Sequence, residues 1–345
     1  MTNPATSDDR LAALRDFAVA HLRMPALRVE PASEDASFRR YFRITSTDGA
    51  PVAEGHHSVI AMDAPPPMED CRPYVRIAGL LIEAGVHAPA VIAQDIERGF
   101  LLLSDLGSTT YAAALTDESA HALYLDAIEA LVRWQQSSRE RALPPYDEAL
   151  LAREIDLFPD WYVERHLQRA FSEGEAATFR SVRRIVLDNN LAQPGVFVHR
   201  DYHSRNLMVA TPNPGVLDFQ DAVYGPVTYD IVSLLRDAYI EWKEERELDW
   251  AIRYWERARK ARLPVRTDFS EFWRDYEWMG VQRQLKVLGI FARLFHRDGK
   301  DRYLADMPRV LSYLRRACGR YRELAPLLRL LDALHDEQPQ VGYTF

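Results

Sequence analysis

An aspartate at position 201 is followed in the same polar segment by an amide, Asn206, and a second aspartate, Asp218, stands a short way beyond. Phosphoryl transfer asks little covalent chemistry of a protein. It needs a carboxylate to orient the acceptor hydroxyl and oxygen ligands to hold magnesium beside the phosphates. Asp201 suits the first task, and Asn206 and Asp218 suit the second. The plainer alternative makes Asp201 and Asn206 turn-stabilising loop residues and Asp218 the end of a strand. The full spacing, set among strand signals, favours the chemical reading.

Those signals are three short apolar segments between Gly195 and Phe219: Val196-Phe197-Val198, Leu207-Met208-Val209 and Val216-Leu217. A turn sequence, Thr211 to Gly215, separates the last two. Upstream, helical periodicity runs from Leu11 to Leu22, and Phe38 to Ile44 with Ser58 to Met62 reads as a hairpin around the Thr47 to Pro51 turn. A helix is expected from about Cys71 to Ala84, and strands near Ala90 to Gln94 and Phe100 to Ser104. Beyond Gly107 the pattern is mainly helical: 111–115, 119–136, 147–170, 176–189, 229–246 and 272–296. This predicts an α+β chain with a small sheet lobe carrying one inserted helix, residues 1–106, and a larger helical lobe, residues 107–345.

With 345 residues, 47% hydrophobic, the chain is long enough for two lobes. A formal charge of -8 leaves no basic footprint for nucleic acid, so a small-molecule partner is expected. No secretory signal and no apolar run of membrane-spanning length is present, so a cytoplasmic protein without membrane association is expected. A monomer is the expected state, although no sequence feature fixes it. Cys71 and Cys318 have no paired or metal-type spacing and read as buried thiols in a reducing compartment.

His199-Arg200-Asp201-Tyr202-His203-Ser204-Arg205-Asn206 fits H-R-D-x-x-x-x-N, the catalytic loop of protein kinases. It also resembles the H-G-D-x-H-x-x-N loop of the aminoglycoside phosphotransferase and choline kinase-like superfamily, with His203 at the second histidine. Asp218-Phe219 is similar to that superfamily's metal-binding segment, and Gly225 to Asp230 to the signature opening its next helix. The resemblance implies a bilobal protein-kinase-like fold, ATP and Mg2+ as cofactors, and Asp230 as a buttress of the catalytic loop. A helix-capping role for Asp230 is compatible and equally open. Phe100 to Gly107 looks like the interlobe hinge, which puts Ser104 and Leu106 at the nucleotide. Ala61 to Pro66, Phe158 to His166 and Lys286 to Phe291 resemble the anomeric amino-sugar kinases of peptidoglycan recycling, which act on N-acetylmuramate and N-acetylglucosamine.

The pattern departs from kinases in one respect. No lysine precedes Lys243, and the strand where kinases place their phosphate-binding lysine reads Ser58 to Asp63. Ser33 to Arg40 contains no glycine. Ser37, Arg39 and Arg43 are the candidate replacements, with a solvated strand face as the plainer reading of the arginines. Alternation puts Arg39, Tyr41 and Arg43 on one face and Phe38, Arg40, Phe42 and Ile44 on the other. For a polyhydroxylated acceptor the candidates are Trp161, Arg165, His166, His203, Arg205, Tyr224, Gln282 and Lys286, although a tryptophan at such spacing is more often core. A kinase acting on choline, homoserine or an aminoglycoside remains an alternative. A nucleotide-binding scaffold without turnover is another.

Overall fold

The structure is a computed structural model describing residues 7–34 and 38–335. Its elements in chain order begin with α1 (Ser7–Leu22), β1 (Leu27–Glu34), β2 (Arg40–Ser46), β3 (Ser58–Asp63), α2 (Arg72–Glu83), β4 (Val91–Asp95) and β5 (Phe100–Ser104). Then come α3 (Tyr111–Ala114), α4 (Ala120–Gln136), α5 (Glu148–Ile155), a π-helix (Phe158–His166) and α6 (Glu173–Leu191). Strand β6 (Gly195–Val198), the hairpin β7 (Leu207–Met208) and β8 (Gly215–Val216), and β9 (Val223–Pro226) precede α7 (Tyr229–Leu235), α8 (Glu244–Lys260), α9 (Phe269–Asp298), α10 (Met307–Arg320) and α11 (Ala325–Leu334).

The chain divides into two compact units. The first holds the described residues up to Thr110 together with Leu207–Asp221, and the second Tyr111–Asn206 together with the described residues from Ala222. The expected single boundary after residue 106 thus misses the return of the β7–β8 hairpin to the first unit. Backbone bonding explains the return: Val216 N–H donates to His87 (2.7 Å) and Val209 N–H to Thr109 (2.8 Å).

In the first unit five strands form an antiparallel sheet in the order β1-β2-β3-β5-β4. Phe42, Ile44, Val59, Ala61, Phe100 and Leu102 form one apolar cluster with Leu14, Phe17 and Ala18, which recur at helical spacing on α1. The alternation expected for β2 holds for Phe42 and Ile44. Phe38 departs from it: it precedes the strand and is 63% exposed. Strand β1 escapes the sequence pattern because Pro31 and its charged neighbours argue against a strand. It is tolerated as an edge strand with an irregularity at Pro31/Ser33.

In the second unit the 30-residue α9 is buried along most of its length, so it shows no single apolar stripe. Asp268 caps its start by accepting from the N–H groups of Ser270 (2.7 Å) and Glu271 (3.2 Å). The helix expected over 147–170 is in fact α5 followed by the π-helix. Pro159 contributes no N–H there, and Leu167 N–H bonds five residues back to Tyr162 (2.9 Å). A Cβ on Gly289 of α9 would lie 2.4 Å from the Leu157 carbonyl, so only glycine lets the two backbones approach this closely. The helix expected over 229–246 ends at Leu235, where Arg236 turns fully buried to meet Glu247 and Glu277. Helices α8, α10 and α11 extend beyond the segments expected from periodicity.

Candidate active site

Strand β6 ends at Val198 and delivers the chain to a carboxylate that receives it. Asp230, fully buried near the start of α7, accepts from the backbone N–H groups of His199 (2.7 Å) and Arg200 (3.0 Å). Of its two open roles, the geometry is that of the buttress; the residue at the N-cap position is Thr228. Burial pushes the Asp230 carboxyl up to about 7, against the pull of those two bonds. Arg200 takes a left-handed φ of 77°, a conformation that needs outside support in a residue with a side chain. After it the loop folds onto itself. Asp201 N–H donates to His199 Nδ1 (3.2 Å), and Asp201's carbonyl accepts from His203 N–H (3.1 Å) and from the Asn206 side-chain amide (3.0 Å). Asp237 holds the far side by accepting from Ser204 N–H and Tyr239 N–H (both 2.9 Å).

Beneath this loop lies a buried charge network. Arg200 and Lys286 both pair with Glu154 of α5, Lys286 at 3.1 Å, while Tyr146 donates its hydroxyl to the same carboxylate. Lys286 also donates to the Tyr229 hydroxyl (3.0 Å). Two cations thus share one carboxylate, and the surplus positive charge acts on Asp201. Burial works to raise the Asp201 carboxyl, but Lys286, His203, Arg200 and His199 together hold it below its ordinary value. It is therefore an anion at neutral pH.

The first unit holds Asp218, with its side chain 41% exposed and a left-handed φ of 61°. Gln220 donates to one carboxylate oxygen (2.8 Å), and an Arg39 nitrogen stands 3.8 Å from the same oxygen. Phe219 turns inward against Tyr74, ring centroids 4.6 Å apart. Arg43 is held by Asp105 through two bonds (2.6 and 3.1 Å) and donates to the Gly107 carbonyl. Arg40 lies on the opposite face and pairs with the fully buried Asp63, which also receives Arg10. Ser104 accepts from Ala90 N–H (2.8 Å), Leu106 is buried against the Gly215 position, and Ser37 lies outside the described residues.

The profile of the Phosphotransferase enzyme family (APH) matches residues 28–266. The chain belongs to this family. It is 52% identical over 311 residues to the N-acetylmuramate/N-acetylglucosamine kinase of Pseudomonas putida, covering 90% of this chain and 89% of that one. To the enzyme of the same name from Neisseria meningitidis it is 51% identical over 319 residues, covering 91% and 93%. Among solved structures, amicoumacin kinase in complex with AMP-PNP, Ca2+ and Ami shares the fold, with a TM-score of 0.58 at 14% identity over 89% of this chain and 93% of that one.

The remaining predicted site residues of this phosphotransferase fall into separate groups. His203 and Arg205 lie in the loop of residues 199–206, and Lys286 acts on Asp201 from α9. Gln282, one turn before Lys286, is fully buried and donates to the Leu151 carbonyl (2.9 Å). Trp161, Arg165 and His166 share the π-helix, where His166 meets Tyr162, Phe295 and His296 at ring distances of 5.6, 6.4 and 5.7 Å. His296 stands ten positions beyond Lys286, or about 15 Å along α9. Tyr224 sits elsewhere in the unit, opposite Phe197 in the β6–β9 ladder with its ring against Gly195. Sequence reasoning missed Glu154, Asp237 and Tyr239. Glu154 did leave a signal: it interrupts the apolar stripe of α5 between Leu151 and Ile155, both fully buried. Asp237 and Tyr239 follow a helix end with no motif around them. No helix among the described residues is long and apolar enough to cross a membrane.

Proposed function

We propose that this phosphotransferase moves the γ-phosphoryl group of ATP to the C1 hydroxyl of N-acetylmuramate and N-acetylglucosamine. The observation that carries the chemistry is the preformed catalytic loop, in which Asp230, Asn206 and His199 fix the backbone around an ionised Asp201. The sugar assignment is supported by relatives of that name that share about half their residues with nearly the whole chain. An anomeric hydroxyl is more acidic than an ordinary alcohol because the ring oxygen withdraws charge, so a carboxylate below its usual range can still orient and accept its proton.

Asn206 fits the oxygen-ligand role because its amide nitrogen is engaged by Asp201's carbonyl, which directs the oxygen end away from that bond. Asp218 suits the same role with a charged oxygen, its side chain 41% exposed. Hard oxygen donors of this kind suit magnesium, which when bound neutralises the phosphate oxygens and helps align the nucleotide. Arg39 takes the part of the missing lysine, its permanent charge and forked donors suiting a phosphate. The test is ADP release across amino sugars, aminoglycosides and choline, followed by a reducing-sugar assay at complete turnover. The two amino sugars should release ADP and lose their reducing ends. A phosphorylated product with its reducing end intact would overturn the anomeric assignment.

A further inference from the structure

N-acetylmuramate and N-acetylglucosamine share a ring and an acetamido group and differ at one place. The muramate carries a lactyl ether on O3, and with it a carboxylate. A pocket that accepts both must offer a cation to that anion, yet must tolerate the same cation without a partner when the neutral sugar binds. A deeply buried arginine would fail the second condition, since an unpaired buried charge is costly. A freely mobile surface arginine would fail the first, because its ordering would consume most of what the contact returns.

We infer that Arg205 is the specificity-determining residue that receives the carboxylate of N-acetylmuramate; the inference rests on the sugar assignment above. Arg205 directly precedes Asn206, in the loop that folds back so that the Asn206 amide touches the Asp201 carbonyl. Its guanidinium lies 3.5 Å above the centre of the Tyr239 ring, with the Tyr303 ring at 6.0 Å. Stacking of this kind fixes the plane of the group while leaving its edge donors available. The nearest carboxylate, Asp306, comes only to 4.0 Å, and its other oxygen is taken by Arg309 at 2.9 Å. Among the described residues Arg205 makes no hydrogen bond, and its side chain is 41% exposed. The other arginine of the loop, Arg200, is instead committed inward to Glu154.

A second observation points the same way. His203, whose ring packs edge-on against the same Tyr239 (5.4 Å), keeps its Nδ1 buried with no hydrogen-bond partner among the described residues. A buried nitrogen of this kind calls for a partner that arrives with a ligand. Together the two residues offer a planar cationic fork and a ring nitrogen around one aromatic face.

The experiment compares kcat/KM for N-acetylmuramate, its neutral methyl ester and N-acetylglucosamine in the wild type, Arg205→Gln and Arg205→Lys. Arg205→Gln should lower the value for N-acetylmuramate about tenfold more than that for N-acetylglucosamine, the scale of one charge-assisted contact. The loss should appear in KM rather than kcat, with Arg205→Lys recovering part of it. Wild-type enzyme should favour the acid over its ester by a similar factor, and Arg205→Gln should not distinguish them. Equal losses on both sugars, or a raised KM for ATP in their place, would assign Arg205 to the loop or the nucleotide and overturn the inference. A wild type that treats acid and ester alike overturns it without any variant. A wild type that phosphorylates neither sugar removes the substrate assignment itself, a separate outcome.

Discussion

In the helical unit one set of charges beside the loop of residues 199–206 is closed on itself, with Arg236 buried between Glu247 and Glu277, and Lys286 and Arg200 on Glu154, whose side chain is 6% exposed. In the sheet unit the carboxylate is the open partner: the Asp218 side chain is 41% exposed, with an Arg39 nitrogen 3.8 Å away. The difference matches two kinds of task. A base that must meet one hydroxyl in one geometry benefits from rigid, dry surroundings, where fixed charges act strongly. Groups that meet a solvated triphosphate can exchange a carboxylate partner for a phosphate without first breaking a buried pair.

The contrast can be broken first at its two aspartates. Asp201→Asn should lower turnover by about 10^2 to 10^4-fold while leaving magnesium-ATP affinity nearly intact, because the carboxylate acts on the acceptor. Asp218→Asn should instead weaken magnesium-ATP binding, since it removes a charged ligand. Calorimetric titration of both variants checks the division, and equal losses of affinity would abolish it.

A smaller effect sharpens the helical side. Glu154→Gln leaves Lys286 and Arg200 buried without their counter-charge and should cost roughly 3 kcal/mol of stability, seen as a lower denaturation midpoint. Burial works to raise the Glu154 carboxyl, but Lys286 and Arg200 hold it below its ordinary value. The folded pKa is depressed, so this stabilisation is complete above the unfolded carboxylate range and is lost as pH falls through the lower folded value. The gap between wild type and Glu154→Gln should therefore be full at pH 7 and should narrow below about pH 4. A gap that stays constant to low pH would show that the charge pair is not its source.

The smallest effect belongs to the sheet. Arg39→Ala should raise the KM for ATP several-fold, whereas Arg40→Ala should leave it near the wild-type value and lower stability by about 1 kcal/mol, because Asp63 keeps Arg10 as a partner. Steady-state kinetics with thermal melts separate the two, and an unchanged KM in Arg39→Ala would place the phosphate cation elsewhere.

Much of the site was legible because its parts are local. Asp201, Asn206 and Asp218 sit in one stretch whose strand and turn signals are short-range, and the alternation of β2 separated Arg39 from Arg40 by periodicity. The π-helix was not legible: Phe158 to His166 has helical texture, and its wider turn goes with Pro159 and a backbone-to-backbone approach at Gly289, which lies far along the chain. Strand β1 was hidden for the opposite reason, since its local signals oppose the state that sheet pairing imposes.

Arg200 and Arg205 mark the limit most clearly. The sequence by itself determined that two arginines flank Asp201 and Asn206 in one loop, because residue type and spacing are all that such a motif contains. Only the tertiary structure decided that Arg200 turns inward to Glu154 while Arg205 lies over Tyr239 with no hydrogen bond among the described residues. The partner of a charge comes from whichever element the fold packs against it, and no local pattern records that choice.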